Sequence, residues 1–462
     1  MKHLSLAVLV ISLILFYLAP NNPSRPFMGA CVATSIFLIF LHIKGYCIES
    51  NLKNIYLRHS TLFLLFFFVV FFQRATDFSL GIINQKSTSV CDVLWAYVPS
   101  VVSKASALSL LSLSAFLFGY HCYNAKSLSI SNCKYSYKFT NKRILVLSGF
   151  VLLLIYVALT GIGDFSKHSE DENMGFLIVA QAVLLAIVVI YSYEYKNKFR
   201  ERKLKYIYIL FPLSLIIFYL LIYFATGNRG GAIKVCLMLL IAYIYIVRDK
   251  VNYKRVLALS IVGAFFMTLI GIIRVQDTKN INEAYSLIAA KETVLPLTAE
   301  LSGSVNTVHV VLANVPQKQD YNLGSSFISG FSVLIPGLSR FTSKLIEPSG
   351  ETITKMYFGG FKPDWGWGLG SSCIADSYIS FGVVGTIIIF FFLGRFIHYL
   401  ELGTFIVDKS PYFLVLSFCV FSQLHSLCRG PFSILFLSWD YAVLLVFIFI
   451  RRYKKAKIIN ND

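Results

Sequence analysis

The chain has 462 residues, of which 56% are hydrophobic and 14% are charged, with a formal net charge of +19. A soluble domain carries about a quarter charged residues, so this composition excludes an ordinary soluble protein. The positive charge fits either a nucleic-acid-binding protein or a membrane protein with basic loops, and its distribution along the chain distinguishes the two.

Apolar stretches of roughly 17–25 residues recur along the chain, and each is long enough to cross a bilayer as a helix. Runs such as Leu62–Phe72 do not alternate as the strands of a membrane barrel would. We therefore predict an all-α integral membrane protein with about twelve transmembrane helices. They lie near residues 4–20, 27–43, 59–75, 97–120, 144–161, 174–193, 206–226, 231–247, 256–273, 372–398, 411–427 and 433–450.

The basic residues are concentrated on one side of this topology. With both termini, the even-numbered connections hold about 25 of the 42 Lys and Arg residues, whereas the connection at residues 164–172 is acidic. By the positive-inside rule, both termini are expected in the cytoplasm of a bacterium whose inner membrane the chain spans. The net charge thus reflects topology, and no nucleic acid is expected as a partner.

One long interval interrupts the series of spans. Residues 274–370 contain no apolar run of span length, and we predict a long periplasmic loop that includes short helices. The chain is thereby divided into residues 1–273 with helices 1–9, the loop at 274–370, and residues 371–462 with helices 10–12 and a basic cytoplasmic tail. A second external segment, Gln73–Val98, is expected to pack against the long loop.

An arginine in a glycine-rich turn is the first candidate for chemistry. The segment Thr226-Gly-Asn-Arg-Gly-Gly231 lies between two spans and places Arg229 at the start of the following helix. A guanidinium at a helix N-terminus can grip a phosphate in two-point fashion. The alternative is a tight turn whose arginine reaches the lipid headgroups, and the sequence leaves both open.

Other ionisable residues gather at the predicted external side. In and around the long loop these are Arg274, Glu300, His309, Arg340 and Asp364, and Arg274 and Arg340 each adjoin an apolar stretch. Taken singly, each is more typical of a solvated surface residue than of a catalyst, and Arg274 and Arg340 are the stronger candidates because of the adjoining apolar stretches.

The eleventh and neighbouring spans add four more candidates. His425 and Arg429 are four residues apart and are predicted to share a helix face. Asp376 lies early in the tenth span and Asp440 within the twelfth; each carboxylate could be a base or the partner of an arginine. No metal-ligand spacing, Walker loop, GxSxG elbow or HExxH motif is present, so an ATPase, a serine hydrolase and a zinc protease lack support.

Three segments together resemble a known family. They are Thr226–Gly231 with its arginine, the stretch from Ala299 through Tyr321–Ser325 to Leu334–Gly337, and Gly368–Gly370 followed by Ile374–Gly385, which contains Asp376 and Ser380-Phe-Gly382. In order and spacing the chain resembles a bacterial O-antigen polymerase of the Wzy type, an oligosaccharide repeat-unit polymerase.

This resemblance implies a GT-C-like, metal-independent glycosyltransferase without a cofactor. Donor and acceptor would be undecaprenyl-pyrophosphate-linked oligosaccharides, and membrane lipid and a chain-length regulator are expected partners. The reaction needs a cationic anchor for pyrophosphate and a base for the acceptor hydroxyl. We expect the substrate to be bound by Arg229, Arg274, Arg340, Arg429 and Asp376, and Glu300 or His425 to act as the base. The alternatives are a lipid-linked oligosaccharide flippase, an O-antigen ligase-like transferase and a polysaccharide acyltransferase.

Overall fold

The computed structural model describes most of the chain, and the described part is almost entirely helical. The described residues are 1–49, 56–83, 99–123, 135–160, 174–200, 207–225, 229–247, 251–276, 293–332, 338, 342, 345–360, 368–406 and 410–454.

Nine long helices occupy the first part of the chain. They are α1 (Lys2–Tyr17), α2 (Arg25–Glu49), α3 (His59–Ser79), α4 (Val102–Cys122), α5 (Lys142–Thr160), α6 (Met174–Arg200), α7 (Ile207–Ala225), α8 (Arg229–Val247) and α9 (Tyr253–Gln276). A 3₁₀ turn at Pro99–Val101 leads into α4.

Short helices follow, and then three longer ones. The short helices are α10 (Ala299–Ser302), α11 (Asn306–Asn314), α12 (Ser325–Ser332) and α13 (Ser349–Tyr357), and 3₁₀ turns at Pro296–Thr298 and Gly303–Val305 flank α10. The longer helices are α14 (Cys373–Glu401), α15 (Pro411–Leu427) and α16 (Trp439–Phe449), with a π turn at Leu402–Ile406 and a 3₁₀ turn at Phe432–Phe436.

A two-stranded antiparallel ribbon departs from the predicted all-α architecture. Strand β1 (Tyr135–Phe139) pairs with β2 (Ile450–Lys454), with Tyr135 opposite Lys454 and Phe139 opposite Ile450. Because only one pair of strands is involved, the ribbon is an addition to a helical membrane protein and does not change its class.

Each of the twelve predicted spans coincides with a helix. In the part of the chain that the structure describes, eight helices are long and apolar enough to cross a membrane: Arg25–Gly45, His59–Ser79, Pro99–Cys122, Lys142–Leu159, Ile178–Lys196, Arg229–Val247, Cys373–Phe405 and Phe432–Phe449. The apolar helices at Lys2–Tyr17, Pro212–Phe224 and Pro411–Leu427 are shorter. The prediction of an integral membrane protein is confirmed, whereas the number twelve stays a prediction.

The helices divide into two compact units. The first consists of Met1–Tyr123, Asn252–Tyr399 and Gln423–Leu435; the second consists of Asn124–Val251, Leu400–Ser422 and Phe436–Asp462. All described residues from the predicted external loop belong to the first unit, so that unit positions most of the candidate site.

Helix α4 lies at the centre of the first unit. Its serines are buried, and Ser109, for example, donates to the carbonyl of Ala105 at 2.9 Å, which satisfies the hydroxyl within the helix. Helices α4 and α14 approach closely at two glycines: a Cβ on Gly119 would lie 1.9 Å from the carbonyl oxygen of Phe391, and one on Gly394 would lie 2.0 Å from that of Phe116. Small residues at such a crossing let two membrane helices pack backbone to backbone.

Helix α14 is broken one third of the way along. Gly382 has φ 65° and ψ −154°, which only glycine adopts without strain. A Cβ there would lie 2.9 Å from the Tyr321 hydroxyl. The Phe-Gly pair noted in the sequence is therefore the point at which this membrane helix bends, with Tyr321 against the bend.

Candidate functional site

The last two turns of α3 hold the start of the loop segment that carries α10. The side-chain amide of Gln73 donates to the Thr293 hydroxyl at 2.9 Å and accepts from the Thr298 hydroxyl at 2.7 Å. Thr293 Oγ1 donates to Asp77 Oδ2 at 2.7 Å, and the Val294 amide donates to Asp77 Oδ1 at 2.9 Å. We call Gln73, Asp77 and their threonine partners the polar clamp. Packing of this segment against the long loop is thus confirmed for its first residues; residues 84–98 lie outside the described part.

Two arginines lie on the turn that follows α10. A Cβ on Gly303 would lie 3.9 Å from Nη2 of Arg74, so that guanidinium borders the turn backbone. Arg429 Nε donates to the Ser304 hydroxyl at 3.1 Å. Arg74 is buried in the last turns of α3, whereas Arg429 is exposed. Helix α10 and the 3₁₀ turn after it pack against α3. As a result, Arg74 and Arg429, which are 355 residues apart in the chain, both lie at the turn Gly303–Val305.

A neutral histidine lies beside the buried arginine. His309, in α11, is 2% exposed. Burial, together with the nearby positive charge of Arg74, lowers the pKa of His309 to about 3. Its imidazole is therefore uncharged at neutral pH, and the positive charge beside it is that of Arg74.

The two predicted bases occupy different positions. Glu300 is exposed on α10, one residue past its start, and α10 packs against α3. His425 is buried in α15, with Nε2 3.0 Å from the Ser426 hydroxyl and its ring 6.0 Å from that of Phe66. Phe66 precedes Arg74 by eight residues, or about 12 Å along α3, so His425 lies deeper than the arginine turn.

The predicted helix face shared by His425 and Arg429 is wrong. Helix α15 ends at Leu427. Arg429 lies in the turn that follows, where its backbone amide donates to the carbonyl of Ser426 at 3.0 Å. The helix stops because Pro431 has no amide hydrogen and disfavours helical geometry at the residue before it.

Asp376 lies in the first turn of α14, as the sequence predicts, and is fully buried. Its Oδ2 accepts a hydrogen bond from the Phe432 amide at 3.3 Å, and the hydroxyls of Ser326 and Ser349 interact with the carboxyl. Phe432 begins the 3₁₀ turn that follows the Arg429 segment. Asp376 therefore joins the start of α14 to the segment that presents Arg429.

The remaining candidate residues belong to the second unit or have side chains outside the described part. Arg229 begins α8, as predicted, but belongs to the second unit. There Gly231 packs on Tyr223, whose hydroxyl pairs with the amide of Gln181. Arg274 lies in α9, but its side chain is outside the described part, as are Arg340 and Asp364. Asp440 lies in the first turn of α16, directly after a backbone break at Ser438 with φ 71°, and, as predicted, within the candidate span Phe432–Phe449.

Sequence reasoning missed Arg74 as a site residue. Arg74 falls within the segment Gln73–Val98, for which the sequence predicts only packing against the loop. The available signal was a cation at the end of the predicted span 59–75, where a charge is costly unless it has a function. The residues described contain no group of three His, Cys, Asp or Glu side chains placed to hold a metal ion.

The fold and this cluster define an integral membrane protein with a cationic site formed by a helix end and a loop. The family model for the O-antigen polysaccharide polymerase Wzy matches residues 1–457, essentially the whole chain. The chain therefore belongs to the Wzy family, whose members are glycosyltransferase-like polymerases of lipopolysaccharide biosynthesis acting on lipid-linked oligosaccharide repeat units. No curated protein and no solved structure matches it.

Proposed function

We propose that this chain transfers a growing glycan from undecaprenyl pyrophosphate onto the non-reducing end of a newly delivered lipid-linked repeat unit. The bond from the donor sugar's anomeric carbon to the pyrophosphate breaks, and one from that carbon to an acceptor hydroxyl oxygen forms. The hydroxyl proton leaves with a base, and the pyrophosphate leaves as an anion. The observation that carries the proposal is the meeting of Arg74 and Arg429 on the turn at Gly303–Ser304.

Two guanidiniums on one turn suit a leaving pyrophosphate. A planar guanidinium binds phosphate oxygens through two parallel hydrogen bonds and keeps its charge at any physiological pH. Charge develops on the pyrophosphate as the glycosidic bond breaks, and a fixed cation stabilises that transition state more than the ground state. Arginine can therefore fill the electrostatic role without a metal ion.

Glu300 is the better placed of the two predicted bases. It is exposed on α10, directly before the arginine turn, whereas His425 is buried at a deeper level. A general base must reach the hydroxyl whose proton it removes. His309 suits this role less, because an imidazole with a pKa of about 3 is a weak base at neutral pH.

The proposal includes twelve spans, with both termini in the cytoplasm of a bacterial inner membrane and the arginine turn in the periplasm. It is supported by the basic residues in the even-numbered connections. Residues 274–370 form the periplasmic loop between the first nine spans (α1–α9) and the last three (α14–α16). Arg229, Arg274 and Arg340 remain proposed substrate contacts, and a chain-length regulator remains an expected partner on the resemblance alone.

Complementation of a deletion strain tests the proposal. We expect Arg74→Gln and Arg429→Gln to leave single repeat units on the lipid-linked core, and to lower polymer formation from purified lipid-linked repeat units on the order of 100-fold. Arg74→Lys should recover part of the activity, since lysine restores charge without the two-point geometry. Lys318→Gln is the matched control, an exposed cation of the same loop.

Three outcomes distinguish the alternatives. Full sugar ladders from both glutamine variants at normal expression would refute the role of the arginine turn. Loss of every repeat, including the first, would indicate a flippase or a ligase. Retention of one repeat with no ladder supports the polymerase.

A further inference from the structure

Helix α12 carries its polar and apolar faces in the reverse of the usual arrangement. Its serines Ser326, Ser329 and Ser332 are 2%, 8% and 4% exposed, whereas Ile328 and Phe331 are 60% and 39% exposed. A helix on a water-facing surface buries its apolar side and exposes its polar side. The pattern of α12 is therefore that of a helix whose outer surroundings are less polar than its inner ones.

The buried serines have polar partners inside the first unit. The Ser326 hydroxyl lies 3.2 Å from that of Ser380 and also interacts with Asp376. Ser332 Oγ lies 2.6 Å from the carbonyl of Ser329 and 2.6 Å from Thr342 Oγ1. Two of the three buried serines thus make hydrogen bonds within the protein, so the inward face of α12 is its polar face.

The segment that leads into α12 lies alongside a membrane helix at some depth. The Asn322 amide donates to the carbonyl of Ile379 at 3.0 Å. A Cβ on Gly324 would lie 2.7 Å from the ring of Phe381, whose centre is 6.2 Å from that of Phe327. Ile379 and Phe381 follow the start of α14 by six and eight residues, which is about 9–12 Å along the helix. Because α14 is one of the candidate spans, these contacts place the start of α12 beside the first third of a membrane helix.

The exposed apolar face continues onto α14. The side chains of Phe381, Val384 and Ile388 of α14 are 45%, 67% and 49% exposed. Leu323, just before α12, is 78% exposed. In a spanning helix such side chains face lipid, and Phe381 connects them to the α12 segment because it lies against both Gly324 and Phe327.

We propose that residues Leu323–Ser332, although they belong to the segment between membrane helices, are embedded in one leaflet of the bilayer, with Leu323, Ile328 and Phe331 against the acyl chains. Backbone at membrane depth is tolerated where its polar groups are hydrogen-bonded. Helix α12 meets this condition by its own helical bonds, and in the turn before it the amides of Asn322, Gly324 and Ser325 are hydrogen-bonded. The occupant of this face is lipid hydrocarbon. This inference does not depend on the proposed reaction.

Depth-dependent quenching tests the proposal. A bimane label is attached at Ile328→Cys or Phe331→Cys in a variant whose nine native cysteines are replaced and which still complements a deletion strain. The control label is at Gln319→Cys, an exposed position of the same segment. In phosphatidylcholine–phosphatidylglycerol vesicles containing acyl-chain doxyl lipid, we expect quenching at 328 and 331 at least twofold stronger than at 319, and weaker quenching there by aqueous iodide.

Equal quenching by iodide at all three positions would overturn the proposal. Protection from both quenchers would overturn it as well, because a protein would then cover the face. A second measurement uses the native chain: a photoactivatable phospholipid should leave adducts within residues 323–332. Adducts on α14 without adducts in that peptide would contradict the embedded position.

Discussion

The histidine beside Arg74 makes the stability of this protein depend on pH in a calculable way. A histidine in an unfolded chain has a pKa of about 6.5, whereas His309 in the folded protein has a pKa of about 3. Between these values the unfolded state binds a proton that the folded state does not. Lowering the pH therefore favours unfolding, by about 1.4 kcal/mol per pH unit well below pH 6.5. Summed from pH 7 to pH 5, this contribution is about 2 kcal/mol.

The variant His309→Gln removes the titrating group and keeps a polar side chain of similar reach. We expect the native protein to lose about 2 kcal/mol more stability than the variant between pH 7 and pH 5. The measurement is unfolding in detergent micelles at both pH values, followed by intrinsic fluorescence. His3→Gln, at an exposed position, is the matched control and should follow the native protein. Equal losses from the native protein and His309→Gln would show that the imidazole takes up a proton as readily in the fold as out of it, and the reasoning would fail.

Two further predictions concern the scaffold of the site. Asp77→Ala removes both carboxylate hydrogen bonds of the polar clamp, so we expect a local loss of about 3 kcal/mol and faster proteolysis near Val294, with Asp77→Asn milder; unchanged proteolysis in Asp77→Ala would contradict the clamp. Gly382→Ala forces a residue with Cβ into a glycine-only conformation at about 1–3 kcal/mol and should lower the apparent Tm and shorten the sugar ladder. Gly263→Ala, in a helix with open space around it, should leave Tm equal or higher, and the same Tm change in both glycine variants would refute the argument.

The helices of this protein could be predicted from the sequence because their cause is local. A run of 17–25 apolar residues must satisfy its amides within itself when it enters lipid, and each of the twelve predicted stretches coincides with a helix. The start of α8 at Arg229 was predicted for the same kind of reason. The ribbon between β1 and β2 was not predicted, because it pairs residues more than 300 positions apart.

The candidate site was only partly predictable because its contacts are long-range. Glu300 and Arg429 stand out by charge and position. The loop segment that carries Glu300 is held in place by side chains of α3, which lie more than 200 residues earlier in the chain. From the sequence, Arg74 and Asp77 are the polar end of a span, and only the structure shows that the loop packs on them. The shared helix face of His425 and Arg429 failed because a periodicity argument carried the helix two residues past its end at Leu427, into the turn before Pro431.

The serines of α12 show how far composition can mislead about a loop. The sequence Ser325–Ser332 alternates hydroxyl-bearing residues with Phe and Ile. This pattern fits a water-facing helix and a buried helix equally well. The faces distinguish these: hydroxyls inside and large apolar groups outside fit lipid better than water. A substrate with a hydrocarbon tail and a glycan head must be handled where lipid meets water. Three contacts connect α12 to the arginine turn. Ser326 of α12 interacts with Asp376, Asp376 accepts from the Phe432 amide in the segment after Arg429, and Arg429 donates to Ser304. An embedded α12 would thus link the boundary between lipid and water to the arginine turn.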